Sequence, residues 1–146
     1  MGIDESLKDL LQLAADVQDG LWEASARVQQ PDLVALFQAA AVQWNNFADQ
    51  IFPILLQMDH TSPDAKWRAD PNRTWMNPSS DAGALDDLAV CEECMQGLQS
   101  ARQRLETSTS IPVAQLRELL KAQSRSVAGQ MEGIVRAVED AGRPAV

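Results

Sequence analysis

The sequence predicts an all-α fold, an antiparallel four-helix bundle with one long crossover between helices two and three. Three observations predict it. Apolar residues recur at steps of three and four through four separate stretches. Nowhere do apolar and polar residues alternate as they would along a half-buried strand. A segment of about twenty residues, rich in turn formers, interrupts the helical pattern midway. At 146 residues the chain fits one domain, residues 1–146, and is long enough to bury a core.

Helix one is expected over residues 4–29. Leu7, Leu10, Leu11, Ala14, Val17, Leu21, Ala24 and Val28 make one stripe, which tolerates Gly20. The "QQPDL" stretch ends it and starts helix two, over 31–58. Pro31 suits the first helical position, where its missing N–H costs nothing, and Asp32 suits the positive helix start. The second stripe runs Leu33, Phe37, Ala40, Trp44, Phe47, Ile51, Leu55, Met58. Pro53 is expected to kink or end it. So short a connection makes helices one and two antiparallel neighbours.

Residues 59–80 follow without periodicity. A connection this long inside one domain needs a purpose. It has one if helices two and three run parallel, because the chain must then travel the length of the bundle between them. Ser80 or Asp81 caps helix three, expected over 81–107, with Leu85, Leu88, Cys91, Met95, Leu98, Ala101 and Leu105 inward and Cys94 at the flank. Pro112 opens helix four, expected over 112–141, with Val113, Leu116, Leu120, Val127, Met131, Ile134 and Val138 inward. Gly142 and Pro144 close it. Gln123 and Gln130 interrupt this stripe. They read as a small polar interior, as partners of Gln43, or as part of an interface. Two hairpins joined by one crossover form the ferritin-like variant of the bundle.

Composition narrows the function. A net charge of −9 repels phosphate backbones and anionic lipid, so nucleic-acid and membrane-surface roles are not expected. No apolar run approaches the roughly 20 residues that span a bilayer, and the start MGIDESLKDL lacks the pattern of a secretory signal. Two cysteines make no disulfide framework, and a reducing, cytoplasmic setting is expected.

Chemistry-bearing residues are sparse. In "CEEC" Cys91 is read as a core residue and Cys94 as core or boundary, since free cysteine packs like a small hydrophobe. An intermolecular contact or a reactive thiol is a further reading, while a metal site or a redox pair is poorly supplied. A structural zinc site wants four ligands, and a redox pair sits at a helix start rather than mid-helix. His60, alone beside Asp59, reads as solvated surface, and Ser79, Ser80 and Asp81 as a helix cap. The most distinctive cluster lies in the crossover: Trp67, Arg68, Arg73 and Trp75 within nine residues. These four are the candidate interface. Either they fasten the crossover to the bundle, or they form a partner-binding or self-association patch, since Trp and Arg dominate interface hot spots.

Several stretches carry a resemblance. "LKDLLQLAADVQDGLWEAS", "QQPDLVALFQAAAVQWNNFADQI", "NRTWMN", "VCEECMQGLQSARQRLE" and "IPVAQLRELLKAQ" stand in this order over nearly the whole chain. In order and spacing they resemble a bacterial family of ferritin-like four-helix-bundle domains of unknown function. That family similarly has an acid and a glycine in helix one, Pro, Leu and Phe opening helix two, and an Arg-x-Trp-Met segment in the crossover. The resemblance implies the fold. It also implies where metal ligands would stand, and there the chain departs. Ferritin-like di-iron proteins draw a Glu from each of two helices and a Glu-x-x-His from each of the other two. Here the helix-two Glu is replaced near Gln43 and the helix-four His near Met131, leaving Asp19 and Glu92. Gln and Met are poor substitutes at an iron site. Two functions follow as expectations. The first is a non-catalytic bundle without cofactor or metal, acting through protein contacts, with a homo-oligomer, a dimer by preference, as the simplest case. The second is a divergent metal-binding protein or oxidoreductase with a rearranged carboxylate and thiolate site around Asp19 and Glu92.

Overall fold

The computed structural model describes residues 3–59, 87–108 and 114–141. Four helices fill these spans: α1 (Ile3–Arg27), α2 (Pro31–Asp59), α3 (Asp87–Thr107) and α4 (Ala114–Ala141). No strand occurs among the described residues, and the fold is an all-α four-helix bundle. The expected crossover, with Trp67, Arg68, Arg73 and Trp75, lies outside the described residues. So do His60, the Ser79 to Asp81 cap and Pro112.

Side-chain register orders the helices. α1 packs on α2 and α3, and α4 packs on α2 and α3, which closes a ring α1–α2–α4–α3. A Cβ on Gly133 would meet Leu36 Cδ1 at 3.0 Å, so the absence of one lets α4 approach α2 closely there. Further along, Gln43 bonds to Gln123. Numbers therefore rise along α2 as they fall along α4. On the other side Arg102 Nε donates to Ser124 Oγ at 3.3 Å, while Leu88 and Val138 border one groove, so α3 also runs opposite to α4. α2 and α3 are thus parallel.

One carboxylate fixes the top of the bundle. Asp87, the first residue of α3, accepts the backbone N–H of Gln29 at 2.9 Å and of Gln30 at 3.1 Å. These are the last residues before α2, so the charge lies near the positive ends of both α2 and α3. The start of α3 therefore stands beside the start of α2. The other end of α2 is 29 residues away, about 43 Å along a helix.

The core follows the stripes of α1 and α2 closely. Every residue expected inward on α1 is buried, and so is every one on α2 through Leu55. Trp44, Phe37 and Phe47 are the largest buried side chains, and the Trp44 and Phe47 rings meet edge to face with centroids 5.6 Å apart.

Helix two has the length expected of it: α2 runs on past Pro53 to Asp59, one residue beyond the expected 58. Pro53 and Asp49 both face solvent, so water can take up the carbonyl that the proline leaves without a donor, while buried Ile51, Ile54 and Leu55 hold the helix to the core. One expectation needs correction, for on α3 the buried face is rotated. Val90, Cys91, Cys94, Leu98, Ala101 and Leu105 are buried, so both cysteines belong to the core, whereas Leu88, expected inward, is 51% exposed. α3 touches α1 on one side and α4 on the other, and Val90 and Cys94 complete the face that those two neighbours cover.

Candidate functional site

Between α2 and α4 the apolar interior is interrupted by amides. Gln123 is 2% exposed, and Gln43 and Gln130 are half-buried. Gln43 and Gln123 bond reciprocally: Gln43 Nε2 donates to Gln123 Oε1 at 2.5 Å, and Gln123 Nε2 donates to Gln43 Oε1 at 2.8 Å. Gln130 Nε2 donates to the same Gln43 oxygen at 2.8 Å, and Trp44 Nε1 donates to Gln130 Oε1 at 3.1 Å. Gln123 and Gln130 are seven residues apart, two turns along one face, and the Gln43 oxygen bridges them. A glutamate at 43 would accept from both amides but could not donate to Gln123 Oε1. The cluster is neutral and satisfied by its own members. It can hold two helices in register, but it offers neither a general base nor a hard anionic ligand.

Of these residues only Gln43 stands where the resemblance would place a di-iron ligand, and the four positions the resemblance names do not fit that metal. Gln43 is spent in the amide cluster, and Met131 is partly buried against the apolar core. Asp19 is half-buried on α1, while Glu92 is exposed on α3. Among the described residues no three His, Cys, Asp or Glu side chains form a group able to hold a metal ion. Sequence reasoning missed Asp16, which is buried at 5% exposure and accepts from Gln12 Nε2 at 3.0 Å. A signal for it exists: it lies one turn from Leu13, also buried, on the flank of the main stripe.

Cys91 and Cys94 are both free thiols and both buried. Burial pushes the Cys91 thiol from its ordinary 9.0 up to about 11, with Asp87 and Glu92 adding to the effect. Burial pushes Cys94 up to about 12, with Cys91 and Glu93 adding. Thiols held protonated at neutral pH are poor nucleophiles and poor metal ligands. The double variant Cys91→Ala/Cys94→Ala is expected to keep its helical circular dichroism and to lose about 1–2 kcal/mol of stability. The pH profile is a second readout. Above pH 9 the unfolded chain ionises thiols that the folded chain keeps protonated, so the native protein loses stability as pH rises toward 11 and 12. The double variant lacks that part of the loss, and a profile identical to the native one would refute the assignment.

The described surface also holds an apolar groove of about 400 Å³ between α3 and α4. Leu88, Cys91 and Met95 line it from α3, and Ile134, Val135 and Val138 from α4. Glu92 and Gln96 edge it on one side and Glu139 on the other, all three exposed. Periodicity gives no notice of this groove, because Leu88 reads as a core residue until the rotation of α3 is known.

No protein-family model matches the chain, and no curated protein matches it. Among the described residues no helix is long and apolar enough to cross a membrane.

Proposed function

We propose that this chain is a non-catalytic, cytoplasmic member of the bacterial ferritin-like bundles it resembles, acting through protein–protein contacts, with self-association as a homodimer the simplest of them. In this reading the di-iron ligand set is lost. The observation that carries it is the amide cluster. Gln43, near the position where the family pattern places a helix-two Glu, is a neutral amide bonded to Gln123 and Gln130, and the cluster these groups form is closed on itself. What remains available for function is surface. The ring order of the helices and the parallel course of α2 and α3 support the ferritin-like arrangement.

The test is expression in medium supplemented with iron, manganese and zinc, followed by extensive dialysis and elemental analysis. The expected result is well below one metal per chain. Near-stoichiometric metal would overturn the reading. Sedimentation of the same preparation across a concentration series reports self-association.

A further inference from the structure

We propose that the groove between α3 and α4 receives an amphipathic helix from another protein, apolar along one stripe and basic along its flanks. This rests on the reading of the chain as a bundle that acts through protein contacts, and it names the kind of partner.

The geometry fits a helix. Leu88, Cys91 and Met95 come from successive turns of α3, and Val135 and Val138 from successive turns of α4. Both walls therefore repeat about every 5.4 Å along a common direction. A third helix laid in the groove presents side chains at the same repeat, as in ridge-into-groove packing. Among the described residues four large hydrophobic side chains are exposed, and two of them, Leu88 and Val135, border this groove. An exposed apolar pair at the mouth of an apolar groove is the pattern of a contact surface.

Charge selects the occupant. Glu92 and Glu139 stand on opposite edges, and the chain carries a net charge of −9. The nearby cation on α4, Arg136, is ion-paired with Glu132. A second copy docked face to face would set these carboxylates against their own counterparts. A helix with lysines or arginines beside its apolar stripe meets a carboxylate on each flank.

The probe is a labelled peptide of about 18 residues, long enough to form a helix, built of leucine and lysine in an amphipathic pattern. It is titrated into the full chain by fluorescence anisotropy. A matched leucine–glutamate peptide is expected to bind at least about tenfold more weakly. Leu88→Ser/Val135→Ser keeps every charge and is expected to weaken the lysine peptide by about tenfold, which nonspecific attraction to an acidic protein would not do. Glu92→Lys/Glu139→Lys is expected to reverse the preference between the peptides. In methyl spectra, Leu88, Met95, Ile134 and Val138 should shift on binding.

Undiminished binding by the serine variant, or unmoved groove methyls, overturns the proposal. So does a fall in native mass to monomer in the serine variant, which would make the occupant a second copy. Groove methyls that shift in the peptide-free chain on Trp67→Ala or Trp75→Ala would make the occupant the chain's own crossover and overturn it equally. Metal analysis of the same preparation keeps the two claims apart. Bound metal sinks the reading of function, whereas a metal-free chain whose groove variants bind peptide unchanged sinks the partner alone.

Discussion

In a chain carrying Trp44→Ala, urea unfolding is expected at a sharply lower midpoint, with about 3–5 kcal/mol of stability lost. Trp44 is fully buried, so truncation opens a cavity at the meeting of α2 and α4 and removes the edge-to-face contact with Phe47. It also takes away the donor to Gln130 Oε1. Trp44→Phe separates the parts. It keeps most of the ring volume and the aromatic pair but leaves the Gln130 oxygen without its donor, for a cost nearer about 1–3 kcal/mol. A Trp44→Ala chain that lost less than about 1 kcal/mol would mean that the centre of the bundle is not packed as described.

The second large effect is expected at Gln43. Gln43→Leu strands the buried Gln123 amide, whose donor and acceptor both point at residue 43. The expected cost is about 2–4 kcal/mol, since an unpaired buried polar group forfeits its hydration without return. In the double variant Gln43→Leu/Gln123→Leu neither amide remains to be stranded. Gln130 is half-buried and can turn its Nε2 toward water. The double variant is therefore expected to be more stable than Gln43→Leu alone, although it carries one substitution more. Singles that simply add would show that the two glutamines are not coupled, and would remove the amide cluster as an organising feature.

How far such features are legible in the sequence differs from helix to helix. α1 and α2 are legible because each carries one dominant stripe, and every residue of it through Leu55 is buried, with Leu13, Asp16, Ala41 and Ile54 buried beside it. α3 is not. Leu88, Cys91, Met95 and Leu98 form one stripe, and Val90, Cys94, Leu98 and Ala101 form an adjacent one that shares Leu98. Periodicity alone cannot rank two stripes that overlap. The neighbours decide, and the face turned toward α1 and α4 takes Val90 and Cys94 inward. Gln43, Gln123 and Gln130 can be named as partners from sequence, but their closure into one cluster needs α2 beside α4 and not diagonal to it. The groove depends on the same ring order, with the added condition that Leu88 turns outward. Pro53 leaves open from sequence whether the helix kinks or ends there, because a proline rule describes a helix in isolation; α2 is held by core residues on both sides of that proline and continues to Asp59.

The Asp87 carboxylate has a dynamic consequence. It holds the amide hydrogens of Gln29 and Gln30 from positions 58 and 57 residues further along the chain. Neither hydrogen is engaged by the ladder of α1 or of α2, so local fraying of those helices does not set their exchange with deuterium. They exchange when the Asp87 carboxylate lets go of them, by its own rotation or by the start of α3 lifting away from the turn between the first two helices. Their shared rate then reads out how often this one link between the turn and the start of α3 opens, from two positions in a single spectrum.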